Sequence, residues 1–334
     1  MFKQSKLVSA LAVAGVALFS AQAAMAQQIV KIDGSSTVYP ITEAVAEEFQ
    51  KAKKNAIKVT VGISGTGGGF KKFCRDETDF SNASRPITAK EMEDCKAAGV
   101  EYIEMPVAYD ALTVVINPKN SFLKQATVEE LKALWEPAAQ GKVMKWNQVN
   151  PAWPDAPVKL FGAGADSGTF EYFTEAIVGK AKSSRGDYTA SEDDNVLVQG
   201  VSRDVNGLGY FGYAYYAENM ARLKGLPIVN PKTGKAVEPS AANVENGSYV
   251  PLSRPIFVYV KVKSLAKPEV REFVEFYMKN AEKLVREVKY VPLPKAAYDG
   301  NLKHVKDGKK GTVFGGKNEV GITIEELMKR EAKM

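Results

Sequence analysis

Three times in this chain a run of strand-forming residues stops, a short string of glycine and hydroxyl residues follows, and a helical pattern begins. Ile29 to Asp33 leads into GSST at 34–37 and a helix with Pro40 in its first turn. Ile57, Val59, Val61 and Ile63, alternating with Lys58, Thr60 and Gly62, lead into SGTGGG at 64–69. Val158 to Phe161 leads into AGADSGT at 163–169, ahead of a helix marked by Phe170, Phe173 and Ile177. Strands alternating with helices specify an α/β fold with largely parallel sheets. In such folds, loops at the carboxyl ends of strands are where ligands bind.

The chemistry of these loops points to an anion. The first turn of a helix has unpaired N–H groups and about half a positive charge. Glycine lets the backbone approach a ligand, and Ser and Thr add hydroxyl donors, so the combination suits an oxyanion. One cap needs only one side-chain oxygen; the third loop has several around a glycine.

Other chemistries find less support. SGTGGGFKK lacks the spacing of a nucleotide P-loop. Gly207, Gly209 and Gly212 satisfy GxGxxG, but no helix with a proper N-terminus follows. His304 is the one histidine of the chain. It falls in a Lys- and Gly-rich tail and reads as a solvated surface residue rather than a catalytic base. There is no GxSxG, and the SxxK strings at Ser121 and Ser264 are at chance level, which leaves a Ser-Lys hydrolase open but unselected. One His and two distant Cys do not build a zinc shell, although carboxylate-only ions stay open.

Further elements follow from periodicity. Helices are expected from about Pro40 to Lys53, from near Phe70, from Ala89 to Ala97, from Val128 to Trp135, from Pro268 to about Glu287 and from Ile324. Strands are expected at Asp79 to Ala83, Leu112 to Asn117, Gly207 to Tyr213 and Ile256 to Val262. The stretch from Lys232 to Pro251 reads as a surface excursion.

The first 26 residues have the form of an export signal: a positive start, the apolar run LVSALAVAGVALFSA and a cleavage site at Ala24-Met25-Ala26. Its removal takes away Lys3 and Lys6 and no acid, so the net charge falls from +6 to +4. With lysines and acids interspersed and no basic block interleaved with aromatics, nucleic acid is not an expected partner. A modest positive balance suits a small anion. In an exported chain Cys74 and Cys95 are expected to form a disulfide.

Taken in order, DGSSTVYPITEAVAEEF, GISGTGGGFKKF, TDFSNASRPI, AYDALTVVINP, DSGTFEYFTEAI and GLGYFGYAYY resemble the phosphate-binding proteins that serve bacterial ABC importers. The likeness covers nearly the whole chain beyond residue 26. It implies a two-lobed α/β periplasmic binding protein fold of type II, with crossovers near Tyr109 to Ala111 and Arg254 to Ile256. Lobe 1 would be 27–110 with 255–334, and lobe 2 would be 111–254. The resemblance also implies a periplasmic monomer that binds inorganic phosphate between the lobes, uses no cofactor, performs no catalysis and docks on membrane permease subunits. Carried onto this sequence, lobe 1 supplies Ser36, Thr37, the backbone N–H of Val38, Ser64, Thr66 and Gly67, and lobe 2 supplies Ser167, Gly168 and Thr169. The best-known branch of the family has an Asp before the turn proline and an Arg ahead of the SGT serine. Here Ser84-Arg85 and Ala163 occupy those places, so Arg85 is expected to supply the missing guanidinium from the opposite lobe. Asp166 and Asp110 are the candidate carboxylates to accept the phosphate proton. Alternatives are another tetrahedral oxyanion such as sulfate or molybdate, an exported phosphoesterase or serine hydrolase, and a sensory or adhesive protein.

Overall fold

The computed structural model describes residues 28–165, 167–191 and 193–334. The expected export signal and Asp166 therefore lie outside the described residues. The chain runs β1 (Gln28–Gly34), α1 (Tyr39–Ala52), β2 (Ile57–Val61), α2 (Gly65–Cys74), β3 (Phe80–Ala83) and α3 (Ala89–Ala97). It continues through the long strand β4 (Tyr102–Ile116), α4 (Val128–Trp135), β5 (Lys159–Ala163), α5 (Gly168–Phe173), β6 (Thr189–Ser191), α6 (Asp194–Arg203), β7 (Gly207–Gly212) and α7 (Tyr213–Glu218). Then come β8 (Lys224–Gly225), β9 (Ile228–Val229), β10 (Ala236–Val237), α8 (Ala241–Glu245), β11 (Ser253–Lys261), α9 (Pro268–Glu287), β12 (Val291–Pro292), α10 (Lys295–Asp307) and α11 (Ile324–Glu331).

The main strand order is β2-β1-β3-β11-β4-β7-β5-β6. Parallel pairs β1–β2 and β1–β3 form one side, and β5–β6 and β5–β7 the other. Between them run the antiparallel β4 and β11. Residues 102–111 of β4 pair with β11, and from Leu112 onward the same strand pairs with β7. β4 therefore belongs to both sides, which explains why every one of its residues is buried. Only its apolar end, LTVVIN, stood out in the sequence; the earlier part, YIEMPVAYD, mixes charges among the apolar residues and hides the strand.

Each side has its own aromatic packing. Phe49 of α1 and Phe80 of β3 meet Phe273 of α9 edge to face at 5.3 and 5.5 Å. On the other side Phe173 stacks on Tyr210 at 3.7 Å, and Trp135 packs edge-on against both. The Cys74–Cys95 disulfide forms, joining the end of α2 to α3. By loop entropy such a crosslink contributes roughly 3 kcal/mol.

Several expectations change. The helix after SGTGGG starts at Gly65, not near Phe70, so the glycine run is helical. A Cβ on Gly69 would lie 2.5 Å from Gly34 Cα. That glycine is there to let α2 pack on β1. The GxGxxG string is β7, with Gly209 admitting Val201 of α6 at 2.8 Å from where its Cβ would be. His304 is not on the surface: it lies in α10, is 8% exposed, and has Nδ1 3.5 Å from Glu331 Oε2. The Lys-rich segment around His304 is the helix α10, which ends at Asp307 and turns His304 inward.

Candidate anion site

The N-terminus of α1 supplies the first group of donors. Pro40 sits in its first turn, where a missing N–H costs nothing. Thr37 N–H donates to Ser35 Oγ at 3.2 Å, and Tyr39 N–H donates to Ser35 O at 3.1 Å. The N–H groups of Ser36 and Val38 have no acceptor among the described residues. Thr37 is buried and Ser36 exposed, and both line a cavity of about 350 Å³.

α5 faces the same cavity. Ser167 is its N-cap and accepts from Thr169 N–H at 3.1 Å. Ser167 and Thr169 both line the cavity. The helix continues without a break through residues 174–178, so its dipole is that of a longer run than α5 alone. A Cβ on Gly168 would lie 3.2 Å from Thr37 Oγ1, 3.3 Å from Ser84 Oγ and 3.8 Å from Arg254 Nη2. Four separate parts of the chain thus converge on one point.

The cavity floor is the switch in β4, with Tyr109, Asp110 and Ala111 lining it. Asp110 stands directly opposite Arg254 in the β4–β11 register. Its Oδ2 accepts from Arg254 Nε and Nη2, both at 3.2 Å. Both residues are nearly inaccessible, at 4% and 5% exposed. Burial raises the Asp110 carboxyl above the usual carboxylate range, with Arg254 and the Ala111 N–H acting in the opposite direction. The Arg254 guanidinium lies 4.6 Å from the ring centroid of Tyr172. Tyr172 in turn donates to the carbonyls of Pro251 and Ser253 at 2.7 Å. The α5 helix therefore fixes the arginine through an aromatic face. Nη1 of Arg254 has no partner among the described residues, which leaves donors for a ligand.

Two further walls close the cavity. One is Gly212 to Tyr215, at the start of α7, with Asp194. The other is Lys289 to Val291. There α9 ends with Lys289 at φ 65° and Tyr290 N–H donating to Val285 O, the left-handed helix stop that turns the chain toward the site.

Some expected residues sit elsewhere. Ser64 Oγ donates to Asp33, whose other oxygen binds Lys72 at 2.6 Å. Thr66 Oγ1 accepts from Ser84 N–H at 3.1 Å and bonds the Ser84 hydroxyl. Ser64, Thr66 and Gly67 do not line the cavity, and neither do Ser84, Gly168 and Arg254; Thr66 bonds Ser84, whose Oγ lies 3.3 Å from where a Gly168 Cβ would be. Val38 is buried. Arg85 does not face the cavity as expected. Its guanidinium binds Glu91 with both terminal nitrogens, at 2.8 and 2.9 Å. Glu91 is the reciprocal partner of Thr88 in the capping box of α3, which holds its carboxylate beside the SRPI turn. The T-x-x-E string at 88–91 was the available signal for this. Ser84 and Arg254 were the residues left out of the expected ligand set, while Asp110 was one of its two candidate carboxylates. For Asp110 and Arg254 the signal was a charge inside the apolar stretches AYDALTVVI and RPIFVYV; Ser84 had none beyond its place before the turn.

Residues 20–281 match the PBP superfamily domain. The chain is 52% identical to the protein SphX of Synechococcus elongatus over 98% of this chain and 97% of that one. It is 39% identical to the phosphate-binding protein PstS of Staphylococcus haemolyticus, covering 83% and 84% of the two. Among solved structures, a possible phosphate binding protein from Planctomyces limnophilus shares 51% identity at a TM-score of 0.71, over 85% of this chain and 99% of that one. A putative phosphate ABC transporter substrate-binding protein from Clostridium perfringens, with bound phosphate, shares 25% identity at a TM-score of 0.62, covering 80% and all of that chain. By its superfamily match and these relatives, the chain belongs to the PBP superfamily and, within it, to the family that includes the PstS phosphate-binding proteins.

Proposed function

We propose that this protein captures inorganic phosphate between two lobes and delivers it to the permease subunits of an ABC importer, with no catalysis. Lobe 1 is 27–110 with 255–334, and lobe 2 is 111–254. The change of β4 pairing from β11 to β7 after Ala111 supports that division. The working form is a periplasmic monomer released by removal of residues 1–26. The observation that carries the reading is the convergence of Thr37, Ser84 and Arg254 on Gly168, since donors from both lobes then surround one point.

The expected ligand donors are the α1 group (Ser36, Thr37 and the Val38 N–H), the α5 group (Ser167, Gly168 and Thr169), Ser84 and Arg254. Phosphate near neutral pH keeps a proton, and its P–OH donates a hydrogen bond to a carboxylate in the site; a fully ionised anion has no such donor and is repelled. Asp110 has the position and burial for that role.

Calorimetric titration with phosphate, sulfate and molybdate tests the assignment. Phosphate is expected to bind with micromolar or better affinity, about −8 kcal/mol or more favourable. Binding of sulfate or molybdate in preference to phosphate would overturn it.

A further inference from the structure

The tail between α10 and α11 crosses the switch between the two sides of the sheet. Before the crossing it is tied to the first side. Gly311 N–H donates to Tyr102 O, Val313 N–H to Glu104 Oε1, and Ala89 N–H to Gly316 O. After the crossing it meets both sides: Tyr109 Oη donates to Ile322 O at 3.0 Å, while Glu326 lies 3.9 Å from Lys232 and Thr323 packs beside Gly247. Between these anchors Asn318 reaches over to the second side and donates from Nδ2 to Glu175 Oε2 at 2.6 Å.

Glu175 lies on the helical run that begins with Gly168. Seven residues separate the two positions, about 10 Å along the axis. A tail segment tied to lobe 1 two residues upstream, where Ala89 N–H donates to Gly316 O, therefore grips the same helical run that presents the Ser167–Thr169 cradle. If lobe 2 swings away from the tie at Gly316, the Asn318–Glu175 bond two residues on is the contact that is pulled apart.

We propose that Asn318 and Glu175 are a positioning pair: their bond exists in the closed arrangement, holds the α5 cradle against the first lobe and slows release of the bound anion. Neither residue touches the cavity. The proposal rests on the two-lobe phosphate reading above, and it adds a contact remote from the ligand that sets how long the ligand stays. A hydrogen bond gained only on closure shifts the closed population, and with it the apparent affinity, by the whole of its strength.

The test uses the mature chain and its variants E175A, N318A, the double variant, E175Q and N318D. Phosphate affinity is measured by calorimetry, release by stopped flow and shape by small-angle X-ray scattering. Each alanine variant is expected to raise Kd by about tenfold, mainly through faster release, as expected for one charge-assisted hydrogen bond. The double variant should be no worse than either single one. E175Q, which keeps an acceptor, should recover most of the loss, and N318D, which opposes two carboxylates, should exceed the loss in N318A. Unchanged release rates, additive effects of the two alanines, or losses that follow ligand-free melting temperature would overturn the pair. If the unmutated protein binds no phosphate, the functional reading falls and scattering still decides this one. A larger ligand-free radius of gyration in E175A than in the unmutated protein would support the strap, and equal radii would overturn it.

Discussion

Replacing Arg254 by alanine separates two things that its guanidinium does. It neutralises Asp110, with Nε and Nη2 both 3.2 Å from one carboxylate oxygen, and it brings Nη2 within 3.8 Å of where a Gly168 Cβ would lie, beside the expected anion. Removing one partner of a buried ion pair costs about 3–5 kcal/mol, because the other charge stays behind without compensation. Losing a charge-assisted hydrogen bond to the ligand costs about 1.5–3 kcal/mol more in binding, or roughly a 10- to 150-fold rise in Kd. The first loss appears in the melting temperature without ligand and the second in calorimetric titration with phosphate. The companion variant D110N/R254M removes both charges while keeping the volume. It should recover most of the stability and none of the affinity. D110N alone should leave the arginine in place and let sulfate compete at least ten times better, because the acceptor that requires a protonated anion is gone. If folded R254A, or the double variant, binds phosphate within twofold of the unmutated protein, the guanidinium does not face the ligand and the reasoning fails.

Gly168→Ala should weaken phosphate binding more than tenfold without lowering the ligand-free melting temperature, since its Cβ would intrude among Thr37, Ser84 and the anion while alanine suits a helix better than glycine; unchanged affinity would place the ligand elsewhere. Arg85→Ala should change phosphate Kd by less than threefold, because Glu91 already holds the guanidinium; a tenfold loss by calorimetry would return Arg85 to the site. Glu104 is wholly buried, and desolvation pushes its carboxyl up to about 7 from an ordinary 4.5. The unfolded chain sheds that proton first, so the stability tied to it falls as pH rises from about 4.5 to about 7 and then levels off, by up to about 3 kcal/mol. E104Q should remove this slope, and melts across that window would refute the assignment if the difference from the unmutated protein did not grow with pH.

The sequence by itself determined the features that rest on local chemistry. Where a strand ends in glycine and hydroxyl residues and a helix follows, the free N–H groups are set by the helix itself. The donors of α1 and α5 were therefore legible before any tertiary contact was known. So were most helices, because amphipathic periodicity and capping residues lie within one turn of each boundary. Only the tertiary structure decided which of these ends share a cavity. The SGTGGG loop has the same local grammar as the other two, yet Gly69 is occupied in admitting α2 against β1 and Ser64 is bound to Asp33. Arg85 had the right charge in the right region, but a capping glutamate six residues on reached it first. Arg254 and Asp110 are 144 residues apart and meet because β4 and β11 pair in one antiparallel register. A strand shows its own alternation in sequence and not the partner it will lie beside, so the pairing of Asp110 with Arg254 became visible only once the sheet was assembled.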